Sequence, residues 1–160
     1  MSLRRHQIFG AVKDLLSAAP YLQGVPVISD DGRRENTKAQ EDALLTGHGV
    51  VIAIPPILRE VPDEHSPSGY MTRAQFGIHL RTNPERRGTS GFDPDLGVEA
   101  IQYAMLGQPA VHPNLRFRPI APGVTHLDAD EPNLTHVLFF EVPVGVFPPA
   151  HEEHTPPPLP

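Results

Sequence analysis

The sequence contains no cysteine among its 160 residues. Disulfide bonds, thiolate catalysis and cysteine-ligated zinc are therefore excluded. No apolar run approaches the roughly 20 residues that a membrane-spanning helix requires. The N-terminal segment MSLRRHQIFGAVKDLL has a basic start and an apolar centre, but Lys13 and Asp14 interrupt the apolar run, unlike in a signal peptide. We therefore expect a soluble protein that is made inside the cell and does not enter a membrane.

Short motifs of common active sites are also missing. The sequence has no G-x-S-x-G nucleophile elbow, no P-loop and no dinucleotide-binding G-x-G-x-x-G. The formal net charge of -6 argues against general nucleic-acid binding, because such binding depends on neutralising phosphates. These features predict a protein that is not an enzyme and that uses no cofactor.

Proline, by contrast, is abundant: it makes up 20 of the 160 residues, whereas proline is about 5% of a typical protein. Many prolines fall in short clusters, which predicts long loops and extended segments. The length of the chain is typical of one domain. We predict an α+β domain over residues 1–142 and a proline-rich C-terminal arm over residues 143–160.

Two segments show the apolar spacing of amphipathic helices. The first runs from about Leu3 to Ala18, and the second from about Asp95 to Leu106, with Gly107 as its expected C-terminal cap. The apolar side of the second helix consists of Val98, Ile101 and Met105, with Tyr103 as a further candidate. A weaker helical pattern covers residues 38–46 and is expected to end at Gly47.

Five segments are predicted to be strands, namely Val25–Ile28, Val50–Ile54, Met71–Asn83, Leu115–Pro119 and Thr135–Val142. The second is apolar throughout, which is typical of a strand buried on both faces. The third alternates strictly, with one apolar face and one polar face. This order of elements favours an α+β fold, with a mostly antiparallel sheet and two main helices packed on one face. Residues 55–69 are expected to form a polar loop.

The polar face of the long strand is the clearest candidate for a binding surface. It carries Arg73, Gln75, His79 and Arg81, whose long side chains can reach a partner. One interpretation is a solvated sheet face. The other is a face that packs against a neighbouring subunit, where arginine is favoured. The basic pair Arg86 and Arg87 follows this strand and is a second candidate contact region.

Neither candidate metal motif matches its template. In the C-terminal PPAHEEHTPPPLP, His151 and His154 are three positions apart, whereas the zinc motif H-E-x-x-H places its histidines four apart on a helix. The acidic start at Asp128 resembles a calcium loop, but Asn133 and Phe139 stand where glycine and glutamate are needed. We therefore expect no bound metal. We expect the remaining histidines to lie at surface or loop positions, and the C-terminal segment to act as a strap against a protein surface.

Five segments together resemble a known group of proteins. These are the helix IFGAVKDLLSAAPYL, the strand region VPVIS, the buried strand VVIAIPP, the alternating strand QFGIHLRTN and the helix DLGVEAIQYAMLG, followed by two closing strands. In order and style they resemble the tail terminator, or tail completion, proteins of long-tailed bacteriophages and phage-like particles. The resemblance covers residues 3–142, and the proline-rich extension departs from it.

The resemblance implies a structural virion protein that forms a ring, usually a hexamer. Such a ring caps the tail tube and joins it to the head–neck connector protein, while DNA passes through the lumen without specific binding. Contact residues expected on this interpretation are Arg73, Gln75, His79, Arg81, Arg86, Arg87, Phe147 and Leu159. The alternatives are another neck, head-completion or baseplate adaptor and, from a different class, a small histidine-dependent metalloenzyme.

Overall fold

One mixed sheet with helices on both of its faces organises the part of the chain that the computed structural model describes, residues 5–29, 34–55, 59–62, 71–83, 92–109, 116–127 and 133–145. The helices in these residues are α1 (Arg5–Ala18), α2 (Arg34–His48) and α3 (Pro94–Met105), with a short 3-10 turn at Pro20–Leu22. The strands are β1 (Val27–Ser29), β2 (Val50–Ile54), β3 (Arg59–Pro62), β4 (Met71–Thr82), β5 (Arg118–Leu127) and β6 (Leu134–Gly145).

The sheet is built around the long alternating strand β4. The strand order is β1-β2-β4-β6-β5, and β3 pairs with β4 as well. Only β1 and β2 are parallel, and every other pairing among these strands is antiparallel. β4 pairs with β6 along its full length, from Met71 opposite Gly145 to Thr82 opposite Leu134. The predicted α+β class with a mostly antiparallel sheet is confirmed.

The main core lies between α1, α3 and one face of the sheet. Alternate residues of the strands point to this face, because strand side chains alternate with a period of two. The cluster contains Ile8, Val12 and Leu16 of α1, Ile101 and Met105 of α3, and Val50, Ile52, Ile54, Ala74, Phe76, Ile78, Leu80, Leu138, Phe140, Val142 and Val144 of the sheet. Two main helices therefore pack on one face, as the sequence predicts.

The third helix, α2, packs on the opposite face. A second, smaller cluster joins Leu45 of α2 to Ile28 of β1 and to Val51 and Ala53 of β2. All five residues of β2 are buried, because both of its faces are covered. This confirms the prediction from its unbroken apolar run. The rest of the second sheet face, over β4, β6 and β5, carries most of the polar side chains discussed below.

Several predicted boundaries are corrected by the structure. α2 is longer than its weak apolar pattern indicates, and it continues through Gly47. The helix is followed instead by Gly49, which adopts a φ of 76° that favours glycine. Tyr103 does not join the core of α3, since it is 84% exposed. Gly107, with a φ of 63°, does follow the end of α3 as expected.

Pairing between distant segments accounts for the corrected strands. Within the predicted loop, Arg59–Pro62 pairs with β4, although four residues are too few to show a period. β5 starts later than predicted and is ten residues long. Its pairing with β6 has two irregularities in register, between Pro119 and Ala121 and between Ala121 and Val124. Irregularities of this kind accommodate extra residues, so the strand continues although its residues do not alternate regularly. β6 continues three residues beyond the predicted end at Val142 and buries Val144.

Gly97 of α3 packs closely against Leu80 of β4 and against Phe92, which precedes the helix. A Cβ atom there would lie 2.6 Å from Cζ of Phe92 and 3.0 Å from Cδ2 of Leu80. In Gly97→Ala the added methyl group overpacks this contact, which costs about 1–3 kcal/mol. The higher helix propensity of alanine offsets about 1 kcal/mol of that cost, so we expect the free energy of unfolding to fall by up to about 2 kcal/mol.

Gly10 in α1 supplies the matched control for this prediction. It is exposed, and nothing lies within 4 Å of a Cβ atom built on it. Gly10→Ala is therefore expected to raise the free energy of unfolding by about 0.5–1 kcal/mol through helix propensity alone. Urea denaturation measures both variants. Equal effects of the two substitutions would contradict the close packing at Gly97.

Candidate functional site

The polar face of β4 divides into two halves with different surroundings. His79 and Arg81 lie on the half next to β2, toward the end of the sheet that α2 covers. Arg73 and Gln75 lie on the other half, where β4 is paired with β3 on one side and β6 on the other. The four predicted contact residues of this strand therefore do not form one uniform surface.

Arg81 is engaged within the chain by α2. Its Nη1 atom lies 2.5 Å from Oε2 of Glu41 and 3.8 Å from Oδ1 of Asp42, and its side chain is only 11% exposed. Burial of this guanidinium is compensated by the two carboxylates that α2 brings over the sheet. The arginine thus helps to hold α2 in place.

Glu141 of β6 is the centre of the second half. Its side chain is 2% exposed, and a carboxylate so deeply buried requires charged or hydrogen-bonding partners. Oε1 accepts from Nη1 of Arg73 at 3.2 Å and from the guanidinium of Arg118, while Oε2 accepts from Nε2 of Gln75 at 3.2 Å. Strand register brings these side chains together, because Glu141 lies opposite Gln75 on β4 and opposite Arg118 on β5.

An open groove of about 420 Å³ lies over this cluster. It is lined by Arg73, Gln75, Arg118, Pro119, Ile120 and Glu141. Two arginines and one glutamate leave these groups with a net charge of +1, and Arg118 keeps 58% of its side chain exposed. Glu141 is occupied by its three partners, so the groove offers cationic hydrogen-bond donors rather than a general base. Such an arrangement suits the binding of carboxylate groups on another protein.

His136 of β6 lies opposite Leu80, on the face of the sheet that α1 and α3 cover, and it is buried. This corrects the expectation of a surface or loop position. Its Nδ1 atom is 2.8 Å from the hydroxyl of Thr125. Burial lowers the pKa of His136 below the ordinary 6.5, and the carboxylate of Asp95 partly opposes that shift. The folded state therefore favours the neutral imidazole.

A pH dependence of stability follows from this shift. Because the folded pKa lies below the unfolded value, the unfolded chain binds more protons as the pH falls below about 6.5. The contribution of His136 is thus fully present above that pH and is lost as the pH falls through the folded pKa. Thermal unfolding between pH 8 and pH 5 should show wild type losing stability relative to His136→Gln. The comparison at pH 8 is the control, and a constant difference across the range would contradict the prediction.

Other predicted site residues lie outside the described residues. These are Arg86, Arg87, Phe147 and Leu159, together with His151, His154 and the acidic start at Asp128. In the ranges that the structure does describe, no three histidine, aspartate or glutamate side chains are arranged to hold a metal ion. None of the helices described combines the length and hydropathy needed to cross a membrane.

Sequence reasoning missed Glu141 and Arg118 as parts of the site. Glu141 interrupts the apolar run HVLFFEV, and a charged residue in such a run requires buried partners. Arg118 alternates with Phe117, which is buried, and so lies on the opposite side of the chain from it. Both signals were present, but neither identifies the strand on which the partner lies.

Comparison with known proteins gives a likeness of fold. No family model matches the chain, and no curated protein matches its sequence. A chain in the structure titled "Virion of native gene transfer agent (GTA) particle" superposes with a TM-score of 0.55 and 16% sequence identity. The match covers 86% of this chain and 94% of that chain. The described fold is therefore shared, over nearly its whole length, with a chain of a gene transfer agent virion.

Proposed function

We propose that this chain is a structural protein of a phage-like virion, and that it acts there as a ring-forming tail terminator. The observation that carries the proposal is the fold shared with a chain of the gene transfer agent virion, over 86% of this chain and 94% of the other. The match spans most of both chains, rather than one common supersecondary motif. The sequence resemblance to tail terminators supports the same assignment.

The polar face of the sheet is consistent with a role in assembly. Arg118 is partly exposed there, and the buried carboxylate of Glu141 holds its guanidinium in place. A guanidinium held in this way loses less conformational freedom on binding than a free side chain does. The groove offers recognition groups of this type, which is what a subunit needs in order to fit a neighbour.

In the proposed mechanism, surface complementarity performs the work. One face of the ring matches the last ring of tail-tube subunits, and the other presents a different surface that stops further addition and joins the head–neck connector. The acidic chain, with a net charge of -6, suits a lumen through which DNA passes without adhering. Arg73, Gln75 and His79, the Arg86–Arg87 pair, and Phe147 and Leu159 are the proposed contact residues. Arg81 is not among them, because α2 covers it within the chain.

Location in the particle tests this proposal. Particles carrying a gold-labelled copy of the chain should show the label at the head-proximal end of the tail tube in electron microscopy. Particles that lack the protein should carry tubes of uncontrolled length without heads. A label at the head vertex away from the tube, or at the baseplate, would mean that the chain is an adaptor at that position and not the tail terminator. A particle without label would overturn the assignment to the virion.

The C-terminal arm provides a separate prediction. Deletion of residues 147–160 removes no residue of the described strands, since β6 ends at Gly145. We therefore expect the shortened chain to keep the wild-type melting temperature and to assemble at least about tenfold more weakly. Differential scanning calorimetry and native mass spectrometry measure the two properties. A large drop in melting temperature would instead make the arm part of the folded domain.

A further inference from the structure

Helix α3 exposes a row of large apolar side chains on the side that faces away from the sheet. Leu96 is 47% exposed, Tyr103 is 84% exposed and Leu106, which directly follows the helix, is 62% exposed. Spacings of seven and three residues place them on one helix face. The buried residues Ile101 and Met105 occupy the opposite side of the same helix. The row is therefore not part of the core of this chain.

Acidic side chains accompany this row. Glu99 is exposed and lies between Leu96 and Tyr103 on the same face, and Asp95 is exposed in the first turn. We call the surface formed by Asp95, Leu96, Glu99, Tyr103 and Leu106 the α3 face. It combines an aromatic anchor, aliphatic contacts and two negative charges. Aromatic side chains of this kind are enriched where proteins associate.

A second surface has the complementary composition. On the side of the sheet that carries the Glu141 groove, Ile120 is 38% exposed and Val124 is 51% exposed. Phe139 of β6 is partly buried on the same side, opposite Gly77 of β4. Arg118 adds an exposed positive charge. We call the surface formed by Arg73, Arg118, Ile120, Val124 and Phe139 the β5 face.

The two faces point in opposite directions. The α3 face lies on the outer side of a helix that covers one side of the sheet, and the β5 face lies on the other side of that sheet. They can therefore meet only when they belong to different copies of the chain. Contact between two different patches is heterologous, and repetition of such a contact produces a ring when the rotation closes.

From this complementarity we propose that the β5 face of one copy binds the α3 face of the next copy, with Tyr103 packed against Ile120 and Val124 and the acidic groups directed toward Arg118. The proposal rests on the proposed ring-forming function, because it names the surfaces by which the ring closes. The partner that occupies the groove is thus a second copy of this chain. The reason is that the α3 face carries acidic side chains beside its apolar row, whereas the β5 face carries arginines beside its apolar residues.

Cross-linking tests the proposal directly, because the chain has no cysteine of its own. Tyr103→Cys and Val124→Cys each introduce a single thiol at an exposed position. In a mixture of the two variants, a short bis-maleimide should join Cys at 103 of one copy to Cys at 124 of another. Each variant alone should give little dimer, since a head-to-tail contact does not bring identical positions together. Tandem mass spectrometry identifies the joined peptides.

The double variant Tyr103→Cys/Val124→Cys extends the same test. It should yield a ladder of covalent oligomers that ends at the ring number, whereas a closed two-fold dimer would stop at two subunits. Predominant linkage of 103 to 103 would overturn the head-to-tail arrangement. Capture of a peptide from residues 146–160 by a photo-reactive group at position 124 would show that the C-terminal arm occupies the β5 face, and would overturn the proposal.

A substitution that keeps the fold separates this proposal from the proposed function. We expect Tyr103→Ser to weaken self-association about tenfold or more, as loss of an aromatic anchor does. Gln102→Ala, one position along at an exposed site of the same helix, is the matched control and should assemble as wild type does. Wild-type rings from Tyr103→Ser, measured by native mass spectrometry, would overturn the surface assignment alone. A wild-type chain that stays monomeric with and without tail-tube protein would overturn the ring itself.

Discussion

Replacing Phe76 by alanine is expected to lower the free energy of unfolding by about 3–5 kcal/mol. Phe76 is fully buried at the centre of β4, under α1 and α3. Its ring centroid lies 5.9 Å from that of Phe117 and 6.3 Å from that of Phe140, so the three rings form one aromatic group across three parts of the chain. Truncation loses transfer free energy, leaves a cavity and removes both aromatic contacts.

This loss is a large fraction of the stability of a small domain, which is about 5–15 kcal/mol. Urea denaturation followed by circular dichroism measures it. Gln102→Ala is the control, because it truncates an exposed side chain of α3 that takes no part in the proposed subunit contact, and it should change stability by no more than about 0.5 kcal/mol. A loss at Phe76 no larger than that at Gln102 would mean that the aromatic group does not support the core.

Replacing Glu141 by glutamine is expected to lower the free energy of unfolding by about 3 kcal/mol. The substitution keeps the shape of the side chain but removes the negative charge that two guanidinium groups share. Arg73, whose side chain is only 24% exposed, would lose the charge of its acidic partner Glu141. Arg118 is 58% exposed, so water compensates much of its loss, and the effect stays at the lower end of the range for broken buried pairs.

Two control variants isolate the contribution of burial at this site. Arg118→Gln removes the exposed partner while Arg73 and Gln75 still hold Glu141, so we expect a loss of about 1 kcal/mol or less. Asp14→Asn removes an exposed carboxylate on α1 and should be within about 0.5 kcal/mol of wild type. If Glu141→Gln behaves like Asp14→Asn in chemical denaturation, the buried carboxylate is not a structural centre of the sheet.

Local patterns in the sequence were sufficient for the long elements. α1, α3, β2 and β4 each satisfy a period or an unbroken apolar run over many residues, and the structure confirms all four. The direction of the polar side chains of β4 also follows from the period of two. These features depend only on the spacing of apolar residues along a short stretch, which the chain displays without reference to its folded shape.

The candidate site could be predicted only in part. Arg73 and Gln75 are visible as polar positions on β4, but their common acceptor, Glu141, lies 66 residues from Gln75. Arg81 looks equivalent to Arg73 in the alternating pattern, yet α2 covers it with Glu41. Nothing in the local sequence distinguishes these two arginines, because the difference lies in which distant element packs above each one.

By itself, the sequence determined the α+β class, the amphipathic helices and the two-faced character of the central strand, since local side-chain periodicity is set by backbone geometry. Only the tertiary structure decided that β3 exists, that β5 continues past its prolines, and that Glu141 gathers two arginines and a glutamine. It also decided that Tyr103 faces outward. Each of these outcomes depends on strand register and on which helix covers which face, and those are contacts between residues far apart in the chain.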